Sequence, residues 1–303
     1  MTDTRNISVI GAGLMGHGIA LTFARAGHAV RIFDPAAETL ATLRQRITAS
    51  LDAMGVSLPE TEAILSRIEI GDSLASCVRE ADFVTEAAPE KLPLKQQIFV
   101  EIEAAAPSHC LLASNTSVIP ITKIMSVLSD KTRALGTHWW NPPHMIPLVE
   151  VIRTEWTNEA AMEQTISLLQ NVGKTPVRVE KDVPGFIGNR LQHALWREAI
   201  SLVENGICSA EAVDMVVKVS FGRRLAVLGP LENADLVGTD LTLDIHENVL
   251  SDLENRPDPS PYLRQLVADG KLGMKSREGF RKWAPGDPEA VRKRIAKHLR
   301  TFE

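Results

Sequence analysis

The chain has 303 residues, room for one large or two medium domains, and its 44% hydrophobic and 23% charged residues are ordinary for a soluble globular protein. A net charge of −5 and a pI near 6.0 argue against a nucleic-acid-binding surface. No apolar run reaches the ~18–20 residues of a membrane span, no secretory signal pattern opens the chain, and Cys77, Cys110 and Cys208 are odd in number and lack metal-ligand spacing, so a reducing cytoplasm is the expected location.

The chain opens on "NISVI" (6–10), a short apolar run ending at a glycine loop, which reads as a buried strand. "LMGHGIALTFARAG" (14–27) has helix composition and closes on Gly27, a good C-cap. "HAVRIFD" (28–34) is a second strand, and "ETLATLRQRITASLDAM" (38–54) carries apolar residues at helical spacing. Further strands are expected at 82–87, 110–114, 133–139, 147–152 and 175–180, with helices between most of them. Strands alternating with helices predict an α/β fold, a Rossmann-like doubly wound parallel sheet. Near residue 184 the pattern changes. "KDVPGFIGNR" (181–190) reads as a linker, and helices follow at 189–206, 209–222, 231–254 and 261–269. The expected organisation is 1–183, a dinucleotide-binding domain, and 184–303, an all-α domain.

Within "VIGAGLMGHG", Gly11, Gly13 and Gly16 form G-x-G-x-x-G directly between strand and helix. The first glycine permits the tight turn, the second lets a pyrophosphate approach the backbone, and the third lets helix and strand pack closely. The N–H groups of the following helix, including those around Leu14 and Met15, then face the anion. Asp34 closes the next strand about 20 residues on, where a carboxylate suits the ribose hydroxyls of NAD and repels the 2′-phosphate of NADP. A glycine-rich turn without a nucleotide is the plainer alternative.

A dinucleotide site implies redox chemistry without naming what is oxidised. Ser117, His138 and Asn189 stand near the ends of predicted strands or the linker, and Glu150 lies inside the apolar strand "PLVEVI". A buried carboxylate needs a partner, and a nearby histidine is a good one. Such a pair fixes the imidazole's orientation and favours its protonated form, which suits it to take the proton of an alcohol while hydride leaves. Read alone, each of these residues also fits an ordinary structural role.

With these residues in hand, the sequence resembles the L-3-hydroxyacyl-CoA dehydrogenase family over nearly its whole length. The match is carried by "VIGAGLMGHGIA", "ASNTSVIPIT", "GTHWWNP…LVEV", "PGFIGNR", "LGPLENADLVGTD" and "LGMKSREGF". The resemblance implies an NAD-dependent enzyme interconverting a 3-hydroxyacyl substrate and its 3-keto form, as in fatty acid metabolism. It makes His138 the general base or acid, Glu150 its orienting carboxylate, and Ser117 a donor to the substrate oxygen, with Asn189 acting likewise from the second domain across an interdomain cleft. It adds Glu90, Lys95 and Asn115 as cofactor contacts, and a homodimer formed through the helical domain.

The chain departs from the family pattern where substrate is concerned. Acyl-CoA members usually carry lysines in the helical segment after the acidic strand end, whereas here no lysine precedes Lys91. Trp139 and Trp140 replace a Phe-Phe pair, and "NPPHMIPLVEV" resembles branches acting on small free acids such as L-gulonate, carnitine or a pyridine carboxylate. Arg223 and Arg224 are candidates to meet a free carboxylate, or a solvated surface pair. The same chemistry on a small free hydroxy acid is therefore the alternative. A non-catalytic, crystallin-like NAD-binding protein is a second, and the intact Ser117, His138, Glu150 and Asn189 argue against it.

Overall fold

Asn6–Ile10 forms the central strand, β1, in the computed structural model, which describes residues 4–302. From there the chain alternates: α1 (Gly16–Arg25), β2 (Ala29–Phe33), α2 (Ala37–Ala41), α3 (Leu43–Ala53), α4 (Leu58–Leu65), β3 (Ile68–Ile70), α5 (Leu74–Val78), β4 (Phe83–Glu86), α6 (Leu92–Ala105), β5 (Leu111–Ser114) and α7 (Ile121–Met125). Two further strands, β6 (Ala134–Trp139) and β7 (Leu148–Ile152), follow without a helix between them, then α8 (Glu159–Asn171) and β8 (Thr175–Val179). The eight strands form one sheet in the order β3-β2-β1-β4-β5-β6-β7-β8. Its first six positions reproduce the strand order of dinucleotide-binding folds, with the switch point between β1 and β4.

The alternation of elements predicts a parallel sheet, but the sheet is mixed. β7 runs antiparallel to β6, and β8 is parallel to β7. The cause is the connection: residues 140–147 are too few for a crossover helix, and a short link returns the chain antiparallel. The predicted helix over 38–54 is broken at Thr42, which ends α2 and precedes α3. Its hydroxyl turns back to the carbonyls of Glu38 and Thr39, a local bond that competes with helix propagation.

Burial follows the two-residue strand period. Ile7 and Val9 of β1 join Ile19, Phe23, Ile47 and Phe83 on one face, while Ile10 joins Val84, Phe99 and Leu112 on the other. Each such side chain contributes about 1.5–3 kcal/mol on leaving water.

The chain divides into two compact units, Met1–Arg190 with Ala296–Glu303, and Leu191–Ile295. The remaining helices are α9 (Gly188–Glu204), α10 (Ala210–Val219), α11 (Pro230–Val237), α12 (Thr239–Val249), α13 (Pro261–Ala268) and α14 (Asp287–Leu299). Gly238, at φ +102, separates α11 from α12 inside the predicted 231–254 helix. No helix among the described residues is long and apolar enough to cross a membrane.

Candidate active site

The glycine loop is shaped by three close approaches. Gly11 has φ +105, and a side chain there would meet the Ala87 carbonyl at 2.7 Å. A Cβ on Gly16 would stand 1.8 Å from the Gly11 carbonyl oxygen, so this position accepts glycine alone. Around Gly13, by contrast, nothing lies within 4 Å of that position. Among the described residues no acceptor takes the amides of Gly13, Leu14 or Met15, and the first turn of α1 carries no acidic residue. Open space beside unpaired helix N-terminal donors is what a pyrophosphate requires. Asp34 fits the same reading. Its carboxylate accepts from Ala12 N at 2.8 Å and Ala36 N at 2.9 Å, which fixes it beside the loop. Arg46 donates to the carbonyls of Gly13 and Thr39 and steadies the loop from α3.

Beside this loop lies a buried polar cluster at the carboxyl ends of β4 and β5. Lys95 is 1% exposed and Glu86 fully buried, and they pair at 2.7 Å. Glu86 also accepts from Ser114 Oγ and Ala88 N, both at 2.6 Å, while Lys95 Nζ donates to Ala88 O at 3.0 Å. Lys95 therefore closes on Glu86 and stands 3.6 Å from Glu90. Glu90 in turn accepts from Thr116 Oγ1 and Ser117 N. Glu86 was not singled out from sequence, and Ser114 only as the start of the polar Ser-Asn-Thr-Ser run at a strand end. The cue was present: a glutamate inside the apolar strand "DFVTEA" poses the same question as Glu150 in "PLVEVI".

The antiparallel pair β6–β7 sets His138 directly opposite Glu150 in register. Their side chains meet, His138 Nδ1 to Glu150 Oε2, at 2.7 Å, and both are buried. Burial pushes the Glu150 carboxyl upward, but hydrogen bonds from His138, Gly188 N and Ile187 N outweigh it and hold it below its ordinary value. Those two amides reach Glu150 Oε1 at 3.0 and 2.8 Å because Phe186, just before them, adopts φ +51. That conformation costs a non-glycine residue on the order of 1–3 kcal/mol, and here it turns successive N–H groups onto one oxygen. An ionised Glu150 makes His138 Nδ1 the donor and leaves Nε2 as the proton-accepting atom.

Asn115 caps the end of β6, its Oδ1 accepting from Trp139 N at 2.9 Å. Asn189, on the first turn of α9, donates through Nδ2 to the Ser117 carbonyl at 2.9 Å and belongs to the first unit. Ser117 Oγ has no partner among the described residues. The first unit thus brings His138 together with Glu150, and Ser117 together with Asn189 and Glu90. Arg223 and Arg224 lie in the second unit and are exposed.

Comparison with known proteins agrees with this geometry. Residues 6–183 match the NAD-binding domain of 3-hydroxyacyl-CoA dehydrogenase, and residues 185–283 match its C-terminal domain. The chain is 36% identical over 298 residues to 5-formyl-3-hydroxy-2-methylpyridine 4-carboxylate 5-dehydrogenase of Mesorhizobium japonicum, covering 97% of this chain and 96% of that protein. It is 38% identical to a probable 3-hydroxybutyryl-CoA dehydrogenase of Bacillus subtilis, covering 92% and 97%. A crystal structure of a 5-formyl-3-hydroxy-2-methylpyridine 4-carboxylic acid 5-dehydrogenase, an NAD+-dependent dismutase, superposes with a TM-score of 0.92 at 36% identity, covering 99% of this chain and 97% of that one. The chain belongs to the 3-hydroxyacyl-CoA dehydrogenase family and is an NAD-dependent oxidoreductase acting on CH–OH groups.

Proposed function

We propose that His138 and Glu150 form the acid–base pair for interconversion of a 3-hydroxy compound and its ketone. The observation that carries this reading is the buried 2.7 Å contact between them. In the oxidative direction His138 Nε2 takes the hydroxyl proton, and Glu150 stabilises the imidazolium that results. Bound NAD supplies the hydride acceptor. Ser117 Oγ hydrogen-bonds the substrate oxygen, and Asn189 positions the Ser117 segment through its carbonyl while assisting the same oxygen. In reduction His138 returns the proton to the forming alkoxide.

The amides of Gly13, Leu14 and Met15 hold the pyrophosphate, with Gly11 and Gly16 shaping the turn, and Asp34 takes the ribose hydroxyls. Asn115 and Glu90 complete the nicotinamide end, and Lys95 acts there through Glu90 and Glu86. The unpaired amides at the start of α1 support this assignment.

The substrate is a 3-hydroxyacyl-CoA thioester, the commonest activity of the family. A second reading, a small free carboxylate, is favoured by specific observations. Of the four arginines between residues 35 and 90, three have partners: Arg44 pairs with Glu62 at 2.5 Å, Arg46 holds the glycine loop, and Arg67 donates to Ala24 O, while Arg79 is exposed. A relative similar over nearly its whole length is named for a pyridine carboxylate. Assay of NADH consumption with acetoacetyl-CoA, and of NADH formation with a panel of free 3-hydroxy acids, separates the two. Turnover confined to free acids removes the thioester reading, and turnover confined to the thioester removes the other.

A homodimer formed through the helical unit completes the proposal. It is supported by the apolar side chains this unit leaves in solvent, among them Val227, Leu231 and Leu236, exposed at 85%, 79% and 73%.

A further inference from the structure

Glu150 receives more donors than are needed to orient a histidine. Oε1 accepts from Ile187 N and Gly188 N, and Oε2 accepts from His138 Nδ1. A fourth donor, the indole Nε1–H of Trp140, reaches Oε2 at 3.4 Å. The indole is seated by a close approach. A Cβ on Gly188 would fall 2.4 Å from the Trp140 ring, so the ring lies where it does only because residue 188 has no side chain. Trp140 also packs on the base itself, ring centroids 5.4 Å apart, and Phe186 makes a second ring contact with the imidazole at 5.5 Å.

The neighbouring tryptophan serves as an internal control. Trp139 is buried, its Nε1 has no acceptor among the described residues, and its ring packs against Phe23 and under Lys174. Trp139 is a packing residue, then, whereas Trp140 uses its N–H, and uses it on the carboxylate that holds the base. A phenylalanine at 140 would keep the ring contact and lose the donor.

We propose that Trp140 is a positioning residue for the base: seated on Gly188, it shares Glu150 Oε2 with His138 and fixes the carboxylate–imidazole pair in the geometry used for proton transfer. This rests on the reading of His138 as the base. Two physical effects follow. The carboxylate, bonded on both oxygens from two sides, cannot rotate away from the imidazole. Each added donor also draws negative charge from the carboxylate that would otherwise stabilise the imidazolium. Trp140 thereby shares the charge that Glu150 offers the imidazole. Glu150 is the titratable group bonded to His138. The other groups on the pair, Phe186, Trp140 and the 187–188 amides, do not titrate in this range. Lys174 lies beyond Trp139, and Arg190 follows on α9.

The test uses the full chain with Trp140→Phe, and with β-(3-benzothienyl)alanine at 140, which keeps the indole's shape and replaces its N–H with sulfur. Histidine-labelled protein, without substrate, is followed by NMR at the His138 Nδ1–H, assigned with His138→Asn. The kcat/KM profile for oxidation is measured with NAD and whichever hydroxy compound of the panel above is turned over. The expected result in both variants is faster solvent exchange of the Nδ1–H and an acid limb moved up by about half a pH unit, with the KM for NAD unchanged. Lower activity at every pH, with limb and Nδ1–H signal unmoved, would overturn the proposal and leave Trp140 a packing residue. Should Trp140→Phe fail to fold, the isosteric variant carries the test alone. Near-full turnover by His138→Asn would sink the base assignment instead, a result distinct from either outcome at Trp140.

Discussion

In the sheet unit, Ile7, Val9, Phe23 and Phe83 are buried on one face and Val84, Phe99 and Leu112 on the other, and even charged groups such as Glu86, Lys95 and Glu150 lie out of water. In the helical unit Leu266 is the one buried side chain among the described residues, and a hollow of about 640 Å³ opens between Trp196, Val203, Leu263 and Phe280. Both units are built from amphipathic elements, but only the first closes its apolar faces on each other. A unit that buries its own core can also bury charge, because its walls exclude water and fix every partner. A unit that leaves leucines and valines in solvent has its stabilising contacts still to make. The first is suited to chemistry and the second to association.

The sharpest test of that division is His138→Asn. Loss of a general base lowers kcat by about 10²–10⁴-fold. Sedimentation should be unchanged, since the substitution lies outside the helical unit. An unchanged kcat breaks the assignment of chemistry to the sheet unit.

Stability comes next. Lys95→Met leaves Glu86 buried without its cation and should cost about 3–5 kcal/mol in urea denaturation. Glu159→Gln removes an exposed partner of Arg178 on the same unit and should leave the denaturation midpoint almost unmoved. Equal costs would mean that burial is not what distinguishes the two pairs.

Association is expected to respond in one unit only. Leu231→Glu on α11 should weaken self-association by at least about tenfold in analytical ultracentrifugation, while Leu58→Glu on the exposed start of α4 leaves it unchanged. A response of equal size from both removes the helical unit as the interface.

The smallest effect concerns pH. Burial, reinforced by the charges of His17 and Lys174, pushes His144 down to about 4, and burial also lowers His17. The folded chain resists these protons and the unfolded chain takes them up below the ordinary value of 6.5, so stability falls as pH drops from about 6.5 towards about 4. His144→Asn should flatten that slope in pH-dependent thermal melts. A slope of unchanged steepness would show that other groups carry it.

Much of the sheet unit was legible in sequence because period-two burial and glycine chemistry are local signals. The seven expected strands are present, and "NISVI" has the expected limits. The three-residue edge strand β3 escaped, its apolar content too short and too exposed to mark it. α14 escaped because its polar sequence hides an apolar stripe. The pairing of His138 with Glu150 followed from a simple rule, that a carboxylate in an apolar strand needs a partner. The same rule would have found Glu86 and Lys95. Nothing in local sequence announces Phe186 at positive φ or the seat of Trp140 on Gly188, since both depend on contacts between distant segments.

The ladder between β6 and β7 sets His138 opposite Glu150 by backbone pairing, and of the residues that join the two strands only Trp140 reaches the pair with its side chain. Beyond Trp140, that connection can accept insertions, deletions or new side chains while His138 and Glu150 keep their alignment. Selection can therefore rewrite what residues 141–147 touch and leave the pairing of His138 with Glu150 intact. Such a separation is one physical route by which thioesters and free acids come to share a single catalytic frame.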